Sequence, residues 1–181
     1  GGAQLLFAGS AINTLDALNV EGDLQLTNTS TRAVIRNGLS LTGSVVLDNA
    51  GVISFLGDQS FNTGRVVFAG NSGVLGIEPG TTLTLGPSMV VRGRSGIIGS
   101  GAFGPARNLI NRGLISADVA GGTLTINPSQ FENAAALVAD GELLVFADMA
   151  RWEIQLRYRN GAGNWGAENG SEDFLRKYKR G

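Results

Sequence analysis

A repeat with a period of about 21 residues, a length typical of solenoid proteins, constrains this chain more than any other feature of its sequence. The segment VVLDNAGVIS at 45–54 recurs as VVFAGNSGVLG at 66–76 and as VVRGRSGIIG at 90–99. Each copy begins with a Val-Val pair, and the intervals between the copies are similar but not identical. Because one such unit cannot bury its own apolar side, this period predicts a solenoid of stacked coils.

Two further series have a similar spacing. TTLTLG at 81–86, GTLTIN at 122–127 and GELLVF at 141–146 form one series, and we align them as equivalent strands of different coils. Ile115 and Leu137 belong to the other series and are one period apart. The repeating unit is therefore about 19–24 residues long, which again lies in the range of solenoid repeats.

The local pattern within each unit indicates the kind of solenoid. Apolar and polar residues alternate at 24–26, 83–85 and 124–126, as in half-buried strands. Gly, Asn, Asp and Ser, which favour turns, separate these short segments. The pattern predicts an all-β fold, a single-stranded parallel β-helix of about six to seven coils, for which the crossover preference favours a right-handed winding. We assign residues 1–148 to this β-helix body.

The corners of the coils have their own signals. Gly51, Gly73 and Gly96 each precede an apolar pair, where we expect a corner that needs either positive φ or a bend without a side chain. Asn111 and Asn133 are also one period apart. This separation predicts that their amides stack as a ladder at one corner.

The C-terminal residues 149–181 differ in charge from the body. Residues 1–150 carry seven arginines, no lysine and eleven acids, whereas residues 151–181 carry five arginines, two lysines and four acids. Residues 152–159 alternate strictly and predict a strand, followed by a Gly/Asn-rich loop over 160–170 and a short helix over 171–180.

We expect this tail to act as a cap. Its strand has the pattern to pair with the sheet edge left by the last coil, around Leu143 to Phe146, and to cover the end of the core. The alternative is an appendage with a binding role.

Composition excludes several kinds of chemistry. The net charge is −1, which provides no field for nucleic acid. Cysteine and histidine are both absent, so disulfides, thiolate metal sites and Ser-His-Asp catalysis are excluded. No apolar run is long enough for a membrane-spanning helix. We therefore predict no catalytic residues, no cofactor and no metal.

The run from Asn108 to Asp118, then GGTLTIN at 121–127, FEN at 131–133 and LVADGELLV at 137–145, resembles bacterial extracellular β-helix repeats. These are the repeats of autotransporter passengers and filamentous-haemagglutinin-like adhesins. The resemblance implies a non-enzymatic structural or adhesive segment of an exported bacterial protein, extracellular or on the cell surface. It also implies a fragment or short member, because known members are usually longer. Implied partners are an extracellular glycan or a host or cell-surface component.

Five residues are candidates for ligand contacts. Asp118 and Asp140 are one coil apart and could stack on one face, as an acid pair or as simple turn residues. Arg157, Arg159 and Trp165 belong to the basic, aromatic tail. Because several β-helix proteins are lyases or glycosidases, a polysaccharide-binding or polysaccharide-processing β-helix is the alternative function.

Overall fold

The computed structural model of the protein describes residues 5–7, 12–99, 107–139, 143–146, 151–159 and 165–170, with the side chains as far as residue 139 except that of Leu6. Every regular element among these residues is a strand. Parallel strands stack into a β-solenoid of about six turns, which confirms the predicted all-β architecture. The right-handed winding stays a prediction.

The strands form three faces. The first face contains β1 (Leu5–Leu6), β3 (Leu24–Leu26), β5 (Ser44–Leu47), β8 (Arg65–Phe68), β11 (Val90–Gly93), β14 (Leu114–Ala117) and β17 (Leu137–Ala139). The second contains β2 (Ile12–Val20), β4 (Arg32–Leu41), β6 (Gly51–Leu56), β9 (Gly73–Ile77), β12 (Ser95–Gly99), β15 (Thr123–Ile126) and β18 (Leu143–Phe146). The third contains β7 (Gln59–Phe61), β10 (Thr81–Leu85), β13 (Arg107–Asn111) and β16 (Gln130–Asn133).

A coil is one passage over the three faces, so that coil 3 comprises β5, β6 and β7 and coil 6 comprises β14, β15 and β16. Coils 1 and 2 have longer second-face strands, β2 and β4, whose ladder has a register shift between Asp16 and Leu18. Beyond this shift, β4 contacts the third-face segment of coil 3, where the Leu41 amide donates to Oγ1 of Thr63 at 3.3 Å.

The register on the first face confirms the period with one correction. Val45 pairs with Val66, and Ile115 pairs with Leu137, as predicted. Val66, however, pairs with Val91 rather than with Val90. Val91 is fully buried while Val90 is only half-buried. Two adjacent valines look alike in the sequence, and only the pleat distinguishes the inward one.

The alignment of 81–86 with 122–127 and 141–146 is wrong. Thr81–Leu85 is a third-face strand, whereas 123–126 and 143–146 pair with each other on the second face. All three faces surround the same core, so their strands have the same alternation of apolar and polar residues. Alternation therefore does not identify the face to which a strand belongs.

The glycines at the start of the second-face strands are required for close packing. Gly51 and Gly73 are register partners, and neither they nor Gly96 has positive φ. A Cβ at Gly96 would overlap the ring of Phe68, and one at Gly73 would approach the Leu47 Cβ to 2.8 Å. Of the two predicted explanations for these corners, the bend without a side chain is confirmed.

The predicted amide ladder is present where the third face meets the first. Nδ2 of the fully buried Asn111 donates to Oδ1 of Asn133 at 2.7 Å. Oδ1 of Asn111 accepts the Gly113 amide at 3.1 Å, and Nδ2 of Asn133 donates to the Ala135 carbonyl at 2.7 Å. The ladder joins coils 5 and 6 and satisfies polar groups within the wall.

An ion pair crosses the outside of the second face. Nη2 of Arg32, in coil 2, donates to Oε1 of Glu78, in coil 4, at 2.5 Å. Val34, Ser54 and Gly76 are successive register partners, so Ser54 in coil 3 lies midway between the two charged residues. Ser54 is 1% exposed although the alternation of β6 directs it outward. We call this ion pair, which spans coil 3 at the position of Ser54, the strap.

The tail begins with the predicted strand, but its pairing differs from the prediction. The strand β19 (Arg151–Arg159) pairs in parallel with β16 and then with β17, whereas β18, around Leu143 to Phe146, pairs with β15. After β18 the chain meets the third face first and then the first face, so β19 follows the path of the preceding coil.

The predicted loop over 160–170 is wrong in its second half. Trp165–Gly170 forms strand β20, antiparallel to β19. Gly and Asn are typical of loops, but the exposed edge of β19 offers hydrogen bonds that override this preference. The predicted helix over 171–180 lies outside the described residues.

Candidate functional site

The candidate Asp118 lies at the end of first-face strand β14 and is held by an arginine of the preceding coil. Oδ2 of Asp118 is 2.9 Å from Nε of Arg92, and the side chains are 20% and 51% exposed. The other oxygen, Oδ1, is buried and has no hydrogen-bond partner within the described ranges. This pair links coils 5 and 6 and fixes the position of the carboxylate.

Three of the other four candidates, Arg157, Arg159 and Trp165, belong to the same end of the solenoid. Arg157 is the register partner of Val138 in β17, on the first face. Arg159 and Trp165 are register partners across β19 and β20. Asp140 lies outside the described residues, as do the side chains of the tail strands.

Register places two of the arginines in one column of the first face. Arg92, Ser116, Val138 and Arg157 are successive partners across β11, β14, β17 and β19. Topology therefore brings Asp118, Arg157, Arg159 and Trp165 to the C-terminal end of the first face. Residues of these types are common in sites for charged and sugar ligands.

A second feature, which the sequence reasoning missed, is a groove at the opposite end. It has a volume of about 340 Å³ and is lined by residues of coils 1 to 3: Ala17, Leu18, Asn19, Asn37, Gly38, Leu39, Ser40 and Ser60. We call it the coil 1–3 groove.

Irregular backbone shapes this groove. Ala17 and Asn37 have positive φ values of 47° and 55°, and Gly38 has 104°. Nδ2 of Asn37 donates to Oδ1 of Asp16 at 2.7 Å, and the Gly38 amide donates to Oε1 of Gln59 at 3.1 Å. A positive φ at a non-glycine residue is uncommon, and bulges often re-aim side chains at functional sites. The Asn37-Gly38 dipeptide is the sequence signal, since it favours such conformations.

The lining of the coil 1–3 groove combines apolar and neutral polar groups. Leu18 and Leu39 pack against the core, while Asn19, Ser40 and Ser60 are exposed. Amides and hydroxyls donate and accept hydrogen bonds without carrying charge. This combination suits a neutral ligand that bears several hydroxyl groups.

Within the described ranges, no three His, Cys, Asp or Glu residues cluster as a metal site would require. No helix with the length and apolarity of a membrane span occurs in the same ranges.

The C-terminal end of the chain is similar to a known family. Residues 133–181 match the model of a domain of unknown function, DUF8485. No curated protein and no solved structure matches the chain. The match starts at the last residue of β16, so it includes β17, β18 and the tail. The matched region therefore extends across the predicted boundary at 148 and includes the last strands of the body as well as the tail.

Proposed function

We propose that this chain is a non-enzymatic structural or adhesive β-solenoid segment of an exported bacterial protein, secreted or on the cell surface. The observation that carries the proposal is the unbroken stacking of parallel strands on the first and second faces. About six turns at roughly 4.8 Å each give a rod about 30 Å long. Such a rod separates or presents binding sites at defined distances.

The roles of the charged side chains support a structural function. The strap joins coils 2 and 4, and the Arg92–Asp118 pair joins coils 5 and 6. Asp118 is a candidate acid of the alternative enzymatic function. Its ion pair with Arg92 instead links two neighbouring coils.

The coil 1–3 groove supports the adhesive function. Its exposed amide and hydroxyl side chains lie beside leucines, and sugars are recognised by such pairs of polar and apolar surfaces. We propose a neutral extracellular glycan as the ligand of this groove.

A glycan array probed with the full chain tests the proposal. We expect retention on neutral glycans, and at least about a tenfold loss of affinity in Ser60→Trp, because the indole would fill the groove. Thr84→Trp is the matched control, since Thr84 is the register partner of Ser60 in the next coil and does not line the groove. Equal binding by both variants would contradict the proposed site.

A second assay separates binding from processing. The chain is incubated with acidic and neutral polysaccharides, and new reducing ends are measured. We expect none above the level of a heat-unfolded sample. New reducing ends that disappear in Asp118→Asn would replace this proposal with the polysaccharide-processing alternative.

A further inference from the structure

Arg107 is a buried cation for which the described part of the chain shows no side-chain acceptor. It is the first residue of β13 and is 8% exposed. The burial pattern of β13 places it on the inward side of the strand, together with Leu109 and Asn111. Its Nε and Nη2 atoms are enclosed and have no hydrogen-bond partner among the residues that the structure describes. The residue keeps a small accessible surface, so it is not wholly closed off from solvent.

Two other arginines show what Arg107 lacks. Arg32 is paired with Glu78, and Arg92 is paired with Asp118. Neither ion pair found among the described residues includes Arg107. An enclosed charge without a counter-ion is strongly unfavourable, so an unsatisfied buried group in a native protein requires an explanation, of which a bound ion is one.

Hydroxyl groups lie on both sides of Arg107. Thr81, in coil 4, is its register partner and is 1% exposed. Ser129, in coil 6, accepts the Arg107 amide at Oγ, at 3.2 Å. Oγ1 of Thr81 likewise accepts the Gly57 amide at 2.9 Å. Because both oxygens accept from backbone amides, each hydroxyl keeps its hydrogen to donate to a further acceptor.

We propose that Thr81, Arg107 and Ser129 form a binding site for an oxyanion. A guanidinium presents parallel N–H groups that match two oxygens of a carboxylate, sulfate or phosphate, and flanking hydroxyls add donors. The ligand is the carboxylate group of an acidic sugar or a free inorganic oxyanion. The site lies on coils 4 to 6, apart from the coil 1–3 groove, so the two proposals stand or fall separately.

Thermal unfolding of the full chain at constant ionic strength tests this site. Sodium sulfate, phosphate, acetate and galacturonate replace equivalent amounts of chloride at low millimolar concentration. We expect at least one oxyanion to raise the Tm by about 5–10 °C when it is a hundredfold above its Kd. A response to galacturonate alone identifies a sugar acid, and a response to sulfate or phosphate identifies an inorganic ion.

Two variants separate specific binding from general salt effects. Arg107→Met removes the charge but keeps much of the volume, and we expect it to lose the oxyanion response. Its Tm in chloride should equal or exceed that of the native chain, because an unpaired buried charge has been removed. Arg112→Met changes an exposed arginine of the same coil and should keep the full response.

A direct measurement covers the case in which Arg107→Met does not fold. The Nε–H resonance of Arg107, identified by its absence in Arg107→Lys, should shift and saturate during titration with the responding oxyanion. An unchanged resonance, or equal Tm responses in the native chain and in Arg107→Met, would overturn the proposal.

Discussion

The strap on the second face and the Arg92–Asp118 pair on the first face are both arginine–carboxylate pairs, but they lie in different surroundings. The side chains of Arg32 and Glu78 are 19% and 13% exposed, whereas Arg92 is 51% exposed. The strap crosses a whole coil above Ser54, while the other pair joins neighbouring coils. Solvent screens the charge of Arg92, whereas both side chains of the strap have given up most of their hydration for contacts within the protein.

This difference in solvation predicts different consequences of the same substitution. Removing one partner of a largely buried pair leaves a charge that water reaches poorly, which is strongly destabilising. Removing one partner of an exposed pair returns the other side chain to water at little cost. The location of an ion pair therefore determines its contribution more than its length does.

Glu78→Gln should have the largest effect. The substitution keeps the shape of the side chain but leaves Arg32 without its carboxylate, so the free energy of unfolding should fall by about 3 kcal/mol. Urea unfolding followed by far-UV circular dichroism measures this change. The double variant Arg32→Met/Glu78→Leu is the control and should stay within about 1 kcal/mol of the native chain or exceed it. A single variant as stable as the double variant would contradict the assigned role of the strap.

Gly76→Val should have an intermediate effect. A Cβ at Gly76 would lie 3.1 Å from the Cβ of Ser54, beneath the strap. The branched side chain should lift the ion pair and lower the free energy of unfolding by about 1–3 kcal/mol. Thr125→Val, on β15 of the same face beyond the strap, should change it by less than about 0.5 kcal/mol. If both variants lost the same free energy of unfolding, a side chain at position 76 would not disturb the strap.

Asp118→Asn should have the smallest effect. It leaves Arg92, whose side chain is 51% exposed and returns to water, so the free energy of unfolding should fall by less than about 1 kcal/mol. Added salt should reduce even this difference. Unfolding measured at low and high salt, with the exposed Glu132→Gln as a control, tests the expectation. A loss as large as that in Glu78→Gln would show that burial does not distinguish the two pairs.

The architecture could be predicted because stacking repeats the same local rule in every coil. The separation of Val45 from Val66, and that of Ile115 from Leu137, matches the observed register. Asn111 and Asn133 stack as expected for the same reason. The prediction was wrong where two assignments satisfy the same pattern, as with Val90 and Val91. In such cases the pleat of the strand and the path of the chain determine which residue faces the core.

The site features were less predictable because they depend on contacts between residues far apart in the sequence. Asp118 was a candidate, but its partner Arg92 lies in the preceding coil and has no motif of its own. The coil 1–3 groove arises from a register shift near Ala17, which no period reveals. Arg107 was not a candidate, because only the structure shows that two of its nitrogens are enclosed without an acceptor among the described residues.

The strap also affects how the solenoid unfolds. In a repeat protein each coil is normally coupled only to the next, so neighbouring coils can open one at a time. The strap joins residues 46 positions apart and passes over an intervening coil. It thereby adds a second-neighbour coupling to the ladder, so we expect coils 2, 3 and 4 to open as one cooperative unit. The amide protons of β6, in the middle of that unit, should then exchange with solvent only when all three coils separate.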